Sequence, residues 1–326
     1  MTIRAYLYDA DGTDQAVDLS DGILATLSDR QLLWIDVVGN DQAEIERVGS
    51  TVHLHRESIK NLLNPIGRPR LDQFGEYFQV NVVAIEPAPK GDKPSFVQIP
   101  LDFFSGPNYV VTTHAQDLKF LHDFDDRVRE DSGLGALDSA SFLAALLDWH
   151  ITSYFRVLEE FEEAVDTLDE EVLLHPNDRE FLEDLVNLRQ RVGQLRRLLA
   201  PHREVFANLA RPDFHLLVGS DAGPQFRSLD DRFERAMDAV ENARELVIGS
   251  FDLYMAGTAR KTNEAVQILT IVTVSLGIIG AVAGVMGTNF TVGFFKAGAT
   301  GFVLMLVGML LLIGVVLLFA RRRRWI

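Results

Sequence analysis

Thr270, Thr273, Gly277, Gly280 and Gly284 recur at spacings of three, four, three and four. At 3.6 residues per turn such positions share one face of an α-helix. A stripe of hydroxyls and glycines suits one of two tasks. Small residues let a second helix approach closely, or the stripe lines a water-filled path where threonine oxygens meet a polar solute. Spacing alone does not choose between them. Other residues of ligating or catalytic type are sparse. Asp9-Ala-Asp-Gly-Thr-Asp14 has the carboxylate spacing of a calcium loop, but its glycine is fourth rather than sixth and no Glu stands twelfth, so it reads as a hairpin turn. His53 and His55 lie two apart, not at the i, i+4 spacing of a helical metal pair, and read as loop surface. Glu159 to Asp184 holds twelve acids against one base, Arg179, which describes a solvated face that gathers cations weakly. No phosphate loop, HExxH or nucleophile elbow occurs, so an enzyme is not expected.

The elements that position the stripe follow from hydropathy. Ile268 to Met286 is uncharged, and its 19 residues cover about 28 Å as a helix. Ala297 to Ala320 is a second uncharged run, closed by Arg321 to Arg324. Two such runs close together predict two membrane spans and a lipid bilayer as partner. Arg260 and Lys261 precede the first span, four arginines follow the second, and the connecting loop has only Lys296. Positive-inside counting then places both termini in the cytosol and the loop Gly287 to Lys296 outside; the membrane expected is the inner (plasma) membrane.

The rest of the chain has a different character. From Val266 onward there is no Asp or Glu, and the only Lys or Arg are the five just named. The first 265 residues therefore carry all 47 acids against 26 of the 31 bases, a net charge of −21. Such a surface repels nucleic acid and draws in cations. Cysteine is absent, which removes disulfides and thiolate metal sites. The start MTIRAYLYDADG has no apolar run of the signal-peptide kind, so the acidic part is expected to stay where it is made.

Within residues 1–132, β-rich segments at Ile3–Tyr8, Leu32–Val37, Tyr77–Ile85, Phe96–Phe104 and Tyr109–Thr113 alternate with helical periodicity around Ala43–Val52 and Arg56–Leu63. That predicts an α/β domain. Residues 133–265 read as a helical domain and stalk, and 266–326 as the two-helix membrane domain. All eleven prolines lie at or before Pro224, so nothing forbids one helix from Gln225 to Met286, about 93 Å over 62 residues. Phe226, Leu229, Phe233, Met237, Val240, Val247, Phe251 and Tyr254 keep a three/four apolar rhythm along it.

Lys261-Thr-Asn-Glu264 before the first span, Gly284-Val-Met-Gly-Thr-Asn-Phe290 after it and the final basic run with Trp325 resemble the CorA family of divalent-cation transporters. So do Leu33-Trp-Ile-Asp36, Asn61-Leu-Leu-Asn-Pro65 with Arg68-Pro-Arg-Leu71, and Asn108-Tyr-Val-Val-Thr-Thr-His114. The resemblance implies a funnel-shaped homopentamer, its first spans around a central pore and its second spans outside. It implies Mg²⁺ as cargo and possible regulator, with Co²⁺, Ni²⁺ or, in the ZntB-like branch, Zn²⁺ as alternatives, and no other cofactor. A non-conducting, membrane-anchored relative is the remaining alternative. The family's outer Gly-Met-Asn is matched by Gly287 and Asn289, while Thr288 replaces the methionine. Mg²⁺ sheds water reluctantly and prefers oxygen, which suits a ring of Asn289 carboxamides. An Asn after Gly also suits a helix C-cap, and the two roles are compatible.

The resemblance also makes Asn263, Val266 and Leu269 pore-lining, with an apolar gate near the last two because Gly277 and Gly280 fall where bulkier residues are familiar. The loop Thr291 to Lys296 lacks the acids of many members, which predicts weaker capture at the mouth. Asp252 matches a family acid facing the pore axis. A family Phe-Arg-Asp stretch reads Phe226-Arg227-Ser228 here, with Asp230 and Asp231 close enough to replace the missing regulatory acid.

Overall fold

The computed structural model describes residues 2–20, 22–64, 67–88, 95–128, 138–174, 179–214, 221–288 and 298–322. Strands β1 (Thr2–Asp9), β2 (Gln15–Ala16) and β3 (Gln31–Val38) lead into helices α1 (Gln42–Thr51) and α2 (Arg56–Leu63). Strands β4 (Arg70–Phe74), β5 (Tyr77–Pro87), β6 (Phe96–Ser105) and β7 (Tyr109–His114) follow. The remaining helices are α3 (Lys119–Val128), α4 (Ser139–Leu174), α5 (Arg179–Leu199), α6 (His202–Leu209), α7 (Gly223–Met286) and α8 (Gly298–Arg322). Every strand and helix predicted for the first 114 residues is present. β2, β4 and α3 are additions.

The sheet has the order β2-β1-β3-β7-β6-β5-β4, with β3 and β7 parallel and all other neighbours antiparallel. β3 is apolar nearly throughout and buried on both faces, as a strand covered by helices on both sides must be. Leu33, Ile35 and Val37 share a core with Ile45 and Val48 of α1 and Leu62 of α2. Trp34 alternates to the other face, 5.8 Å between ring centroids from both Phe124 of α3 and Phe142 of α4. The result is three layers, helix–sheet–helix, in which each such buried side chain contributes about 1.5–3 kcal/mol. Asp41 fixes the start of α1 by accepting the Glu44 backbone N–H at 3.1 Å. Phe74 pairs with Tyr77, and Gly75 between them has φ +62°, the left-handed backbone that a two-residue hairpin loop demands.

β4 reaches only as far as Asn81 of β5, which leaves Val83 at an open edge. Side chains close it. The Val83 N–H donates to His202 Nε2 at 2.9 Å, and the Tyr154 hydroxyl donates to the Val83 carbonyl at 2.9 Å. A buried backbone amide left without a partner costs about 1–3 kcal/mol, so α4 and α6 complete the sheet where no strand does.

By contacts the chain forms two compact units: Met1–Glu170 with Arg179–Ser250, and Glu171–Asp178 with Phe251–Ile326. Helices α5 and α6, with α4 to Glu170 and α7 to Ser250, thus share a unit with the sheet. In that unit Phe226, Leu229, Phe233, Met237, Val240 and Val247 of α7 are buried, the face their spacing predicted. Arg232 adds an ion pair to Asp148 of α4 at 2.5 Å. Helix α7 is unbroken over 64 residues, two longer than predicted, with Pro224 in the first turn where its missing N–H costs nothing.

Candidate functional site

In the second unit the stripe lies on the more open side of α7. Asn263, Val266, Leu269, Thr270, Thr273, Gly277, Gly280 and Gly284 are all exposed, Val266 at 53% and Leu269 at 65%. Gln267, Ile271, Ser275, Ile278 and Val282 are partly covered. These also repeat every three or four residues, and Ile271 and Thr273 are about 200° apart around the helix. Val282, on the covered side, borders an apolar hollow of about 530 Å³ with Met305, Gly308, Met309 and Leu312 of α8. The chain's own second span therefore lies toward the side away from the threonines. A side chain built at Gly277, Gly280 or Gly284 would meet nothing within 4 Å in this chain.

Thr270 donates its hydroxyl proton to the Val266 carbonyl at 2.7 Å, and Thr273 to Leu269 at 2.8 Å. A threonine satisfied this way keeps only lone pairs to offer. That chemistry suits a cation or the water around one, and sequence spacing does not reveal it.

The end of α7 is closed by its own backbone. Gly287 N–H donates to Ala283 at 3.0 Å, and the Thr288 hydroxyl donates to Val285 at 2.6 Å. Gly287 is not among the glycines with positive φ, so its place here does not depend on a left-handed cap. Asn289, the loop to Lys296 and Arg323 to Trp325 lie outside the described residues. Both α7 from residue 223 and α8 are long and apolar enough over part of their length to cross a membrane.

The three candidate regulatory acids differ in setting. Asp252 and Asp231 are exposed. Asp230 is half-buried; that burial, with Glu234 and Asp231 nearby, raises its carboxyl above the usual range against the pull of Arg203. Among the described residues no group of three or more His, Asp or Glu could hold a metal ion. The Asp9 loop is a turn, in which the Asp9 N–H donates to Asp14 Oδ1 at 3.0 Å and Asp11 pairs with Arg30 at 2.7 Å. The structure also joins Asp36 and His114, quoted above only within stretches that resemble the family, in a buried pair. A lone acid inside an apolar strand and a histidine ending another were the available signals.

Residues 29–322 match the family described as "CorA-like Mg2+ transporter protein". The cobalt/magnesium transport protein CorA of Thermotoga maritima is 25% identical over 295 residues, 90% of this chain and 83% of that protein. The complete structure of the CorA magnesium transporter of Methanocaldococcus jannaschii superposes with a TM-score of 0.75 at 20% identity, covering both chains fully. The full-length CmaX structure gives 0.72 at 21% identity, over 99% of this chain and 97% of that one.

Proposed function

Because the chain belongs to the CorA-like Mg²⁺ transporter family, we propose that it carries divalent cations across a membrane, with Mg²⁺ as the main cargo, through a pore at the centre of a homopentamer. The observation that carries this reading is the threonine–glycine stripe on the side of α7 away from α8. Five such faces around one axis make a path lined by small residues and acceptor oxygens. An ion there keeps its hydration shell and is held through its waters, which gives modest affinity and fast release. Asn289, in the Gly287-Thr288-Asn289 variant of the family triplet, forms the outer ring. Val266 and Leu269 supply the apolar constriction further in, where water is excluded when the pore is shut.

Orientation follows from the basic ends of the two spans, with both termini cytosolic in the plasma membrane. The acidic domain then raises the local concentration of cations on the cytosolic side. Competitive uptake of Mg²⁺, Co²⁺, Ni²⁺ and Zn²⁺ by purified protein in liposomes tests the reading, with the mass of the detergent-solubilised protein as companion. A pentamer that takes up Mg²⁺ first is expected. A stable monomer or dimer, or liposomes no more permeable than empty ones, overturns it. Thr288 bears on the order of metals: Thr288→Met restores the family triplet and should reorder the preference without abolishing flux.

A further inference from the structure

The chain leaves the carboxyl ends of two parallel neighbours, β3 and β7, toward helices on opposite faces of the sheet. In open α/β sheets the crevice at such a point commonly takes a ligand. Here the chain fills it with its own charges. Asp36 Oδ1 accepts the Thr112 hydroxyl at 2.5 Å and faces His114 Nε2 at 3.0 Å. The other ring nitrogen of His114, Nδ1, faces the Gln116 carbonyl at 2.5 Å. The His114 and Asp36 side chains are only 1% and 10% exposed. Two hollows of about 10 and 30 Å³ flank His114, each room for little more than one water.

A neutral imidazole has one N–H and one lone pair, so it can satisfy only one of two acceptors. His114 faces two, and two donors converge on one oxygen of Asp36, the pattern of an ionised carboxylate. We propose that His114 is an imidazolium at neutral pH and that loss of its proton is an alkaline switch, loosening the joint between β7 and α3. Once neutral, the ring must abandon either the buried Asp36 carboxylate or the Gln116 carbonyl in the turn that follows β7. The His114 carbonyl also accepts the Gly39 N–H at 2.8 Å, so the joint ties both strand ends together.

The surroundings favour the cation. Asp36 on β3, Asp117 in the turn and Asp125 on α3 line one hollow, and Asp102 on β6 lines the other. Against them stand Arg4 on β1 and His122 on α3, 3.3 Å from one another, with His122 also 2.7 Å from Asp117; Tyr6 of β1 completes the titratable groups. Burial works against the charge, but the hydrogen bond and charge of Asp36, the Gln116 carbonyl and Asp117 outweigh it, and the pKa of His114 is raised. The sign follows. A raised folded pKa gives stability that is fully present below about pH 6.5, the unfolded value, and is lost as pH rises through the folded one.

Hydrogen exchange of the full-length protein in detergent, corrected for the intrinsic pH dependence, reads this directly. Protection of residues 112–128 should be highest below about pH 6.5 and fall, by up to roughly tenfold for each unit by which the pKa is raised, before levelling at higher pH. His114→Gln, which carries one amide group and no charge, should start low and show no step. A flat wild-type profile, or a His114→Gln profile like the wild type, overturns the proposal. Should His114→Gln fail to fold, histidine-labelled NMR of the wild type decides: every ring then titrating at or below about pH 6.5 overturns it, and one buried ring titrating above that supports it.

Discussion

In the unit built on the sheet, Leu33, Ile35, Val80 and Val111 are inaccessible to solvent, while in the C-terminal unit Leu276, Leu310 and Leu318 are each more than 60% exposed. The residue types are the same. In the first unit most large apolar side chains are covered by the same chain, with Val186, Leu246 and Ile248 left exposed. In the second, one helical side meets α8 and the rest needs a cover from elsewhere. A bilayer suits leucine, and in the proposed pentamer further copies of the chain would cover the stripe of threonine and glycine. Charge divides along nearly the same line, since acids stop at Glu264. One part of the molecule is stabilised by its own packing, and the other is specified by its surroundings.

The sharpest way to break this contrast is to alter the proposed pore without touching the packed unit. Asn289→Ala should reduce Mg²⁺ uptake to that of empty liposomes while leaving the pentamer and the denaturation of the sheet unit unchanged. Uptake at the wild-type rate means that selectivity lies elsewhere and that Gly287-Thr288-Asn289 is a helix end only.

Packing is tested next. Phe233 is fully buried and stacks on Phe206 with ring centroids 4.7 Å apart. Phe233→Ala should cost about 3–5 kcal/mol in chemical denaturation, read by fluorescence of Trp34 and Trp149 in that unit. Leu310→Ala in α8 should move the same transition by less than about 0.5 kcal/mol. Equal effects would mean that the two units do not unfold as distinct bodies.

Acid tests how one copy completes its own sheet. His202 must stay neutral to accept the Val83 N–H, and burial lowers its pKa to about 4, against the carbonyls of Leu199 and Leu198. The unfolded chain takes up this proton near pH 6.5 and the folded one does not until about 4. Stability should therefore fall as pH drops through that window, by an amount on the order of a few kcal/mol, and level off below it. His202→Leu should be less stable at pH 7 by about 1–3 kcal/mol, with Val83 unpaired, and should lose part of the acid slope. Buried His150, whose pKa is also lowered by burial and by His202, supplies the remainder. A variant with an unchanged slope removes His202 from the account.

The sequence made most of this visible, for reasons that differ by element. β3, β5, β6 and β7 were legible because strands buried on both faces are long apolar runs. β4, Arg70-Leu-Asp-Gln-Phe74, was not, since an edge strand carries polar residues that mimic a loop. In α3 the helical spacing of Phe120, Leu121, Phe124 and Val128 is masked by three aspartates. The stripe on α7 was legible from spacing, but which surface it meets was not, because that depends on where α8 lies. The Asp36–His114 pair was hidden by distance, its members being 78 residues apart and joined only by the parallel pairing of β3 with β7.

The smallest expected effect concerns regulation, where acids at or before Glu264 must influence the acid-free spans. Asp252 and Asp231 are exposed, so any single bridge they make through a bound cation is screened by water and worth about 0.2–1 kcal/mol. In the proposed pentamer five copies, each with −21 in its first 265 residues, would still repel around one axis, and divalent cations would relieve that repulsion. Cytosolic Mg²⁺ should therefore favour the closed state weakly. Asp252→Ala combined with Asp231→Ala should raise the Mg²⁺ concentration that half-closes the channel by a few-fold, with Asp230 left in place because its half-buried carboxyl is coupled to Glu234 and Arg203. Conductance measured against cytosolic Mg²⁺ reads the shift. If the double variant closes at the same concentration as the wild type, these acids keep the domain soluble and take no part in gating.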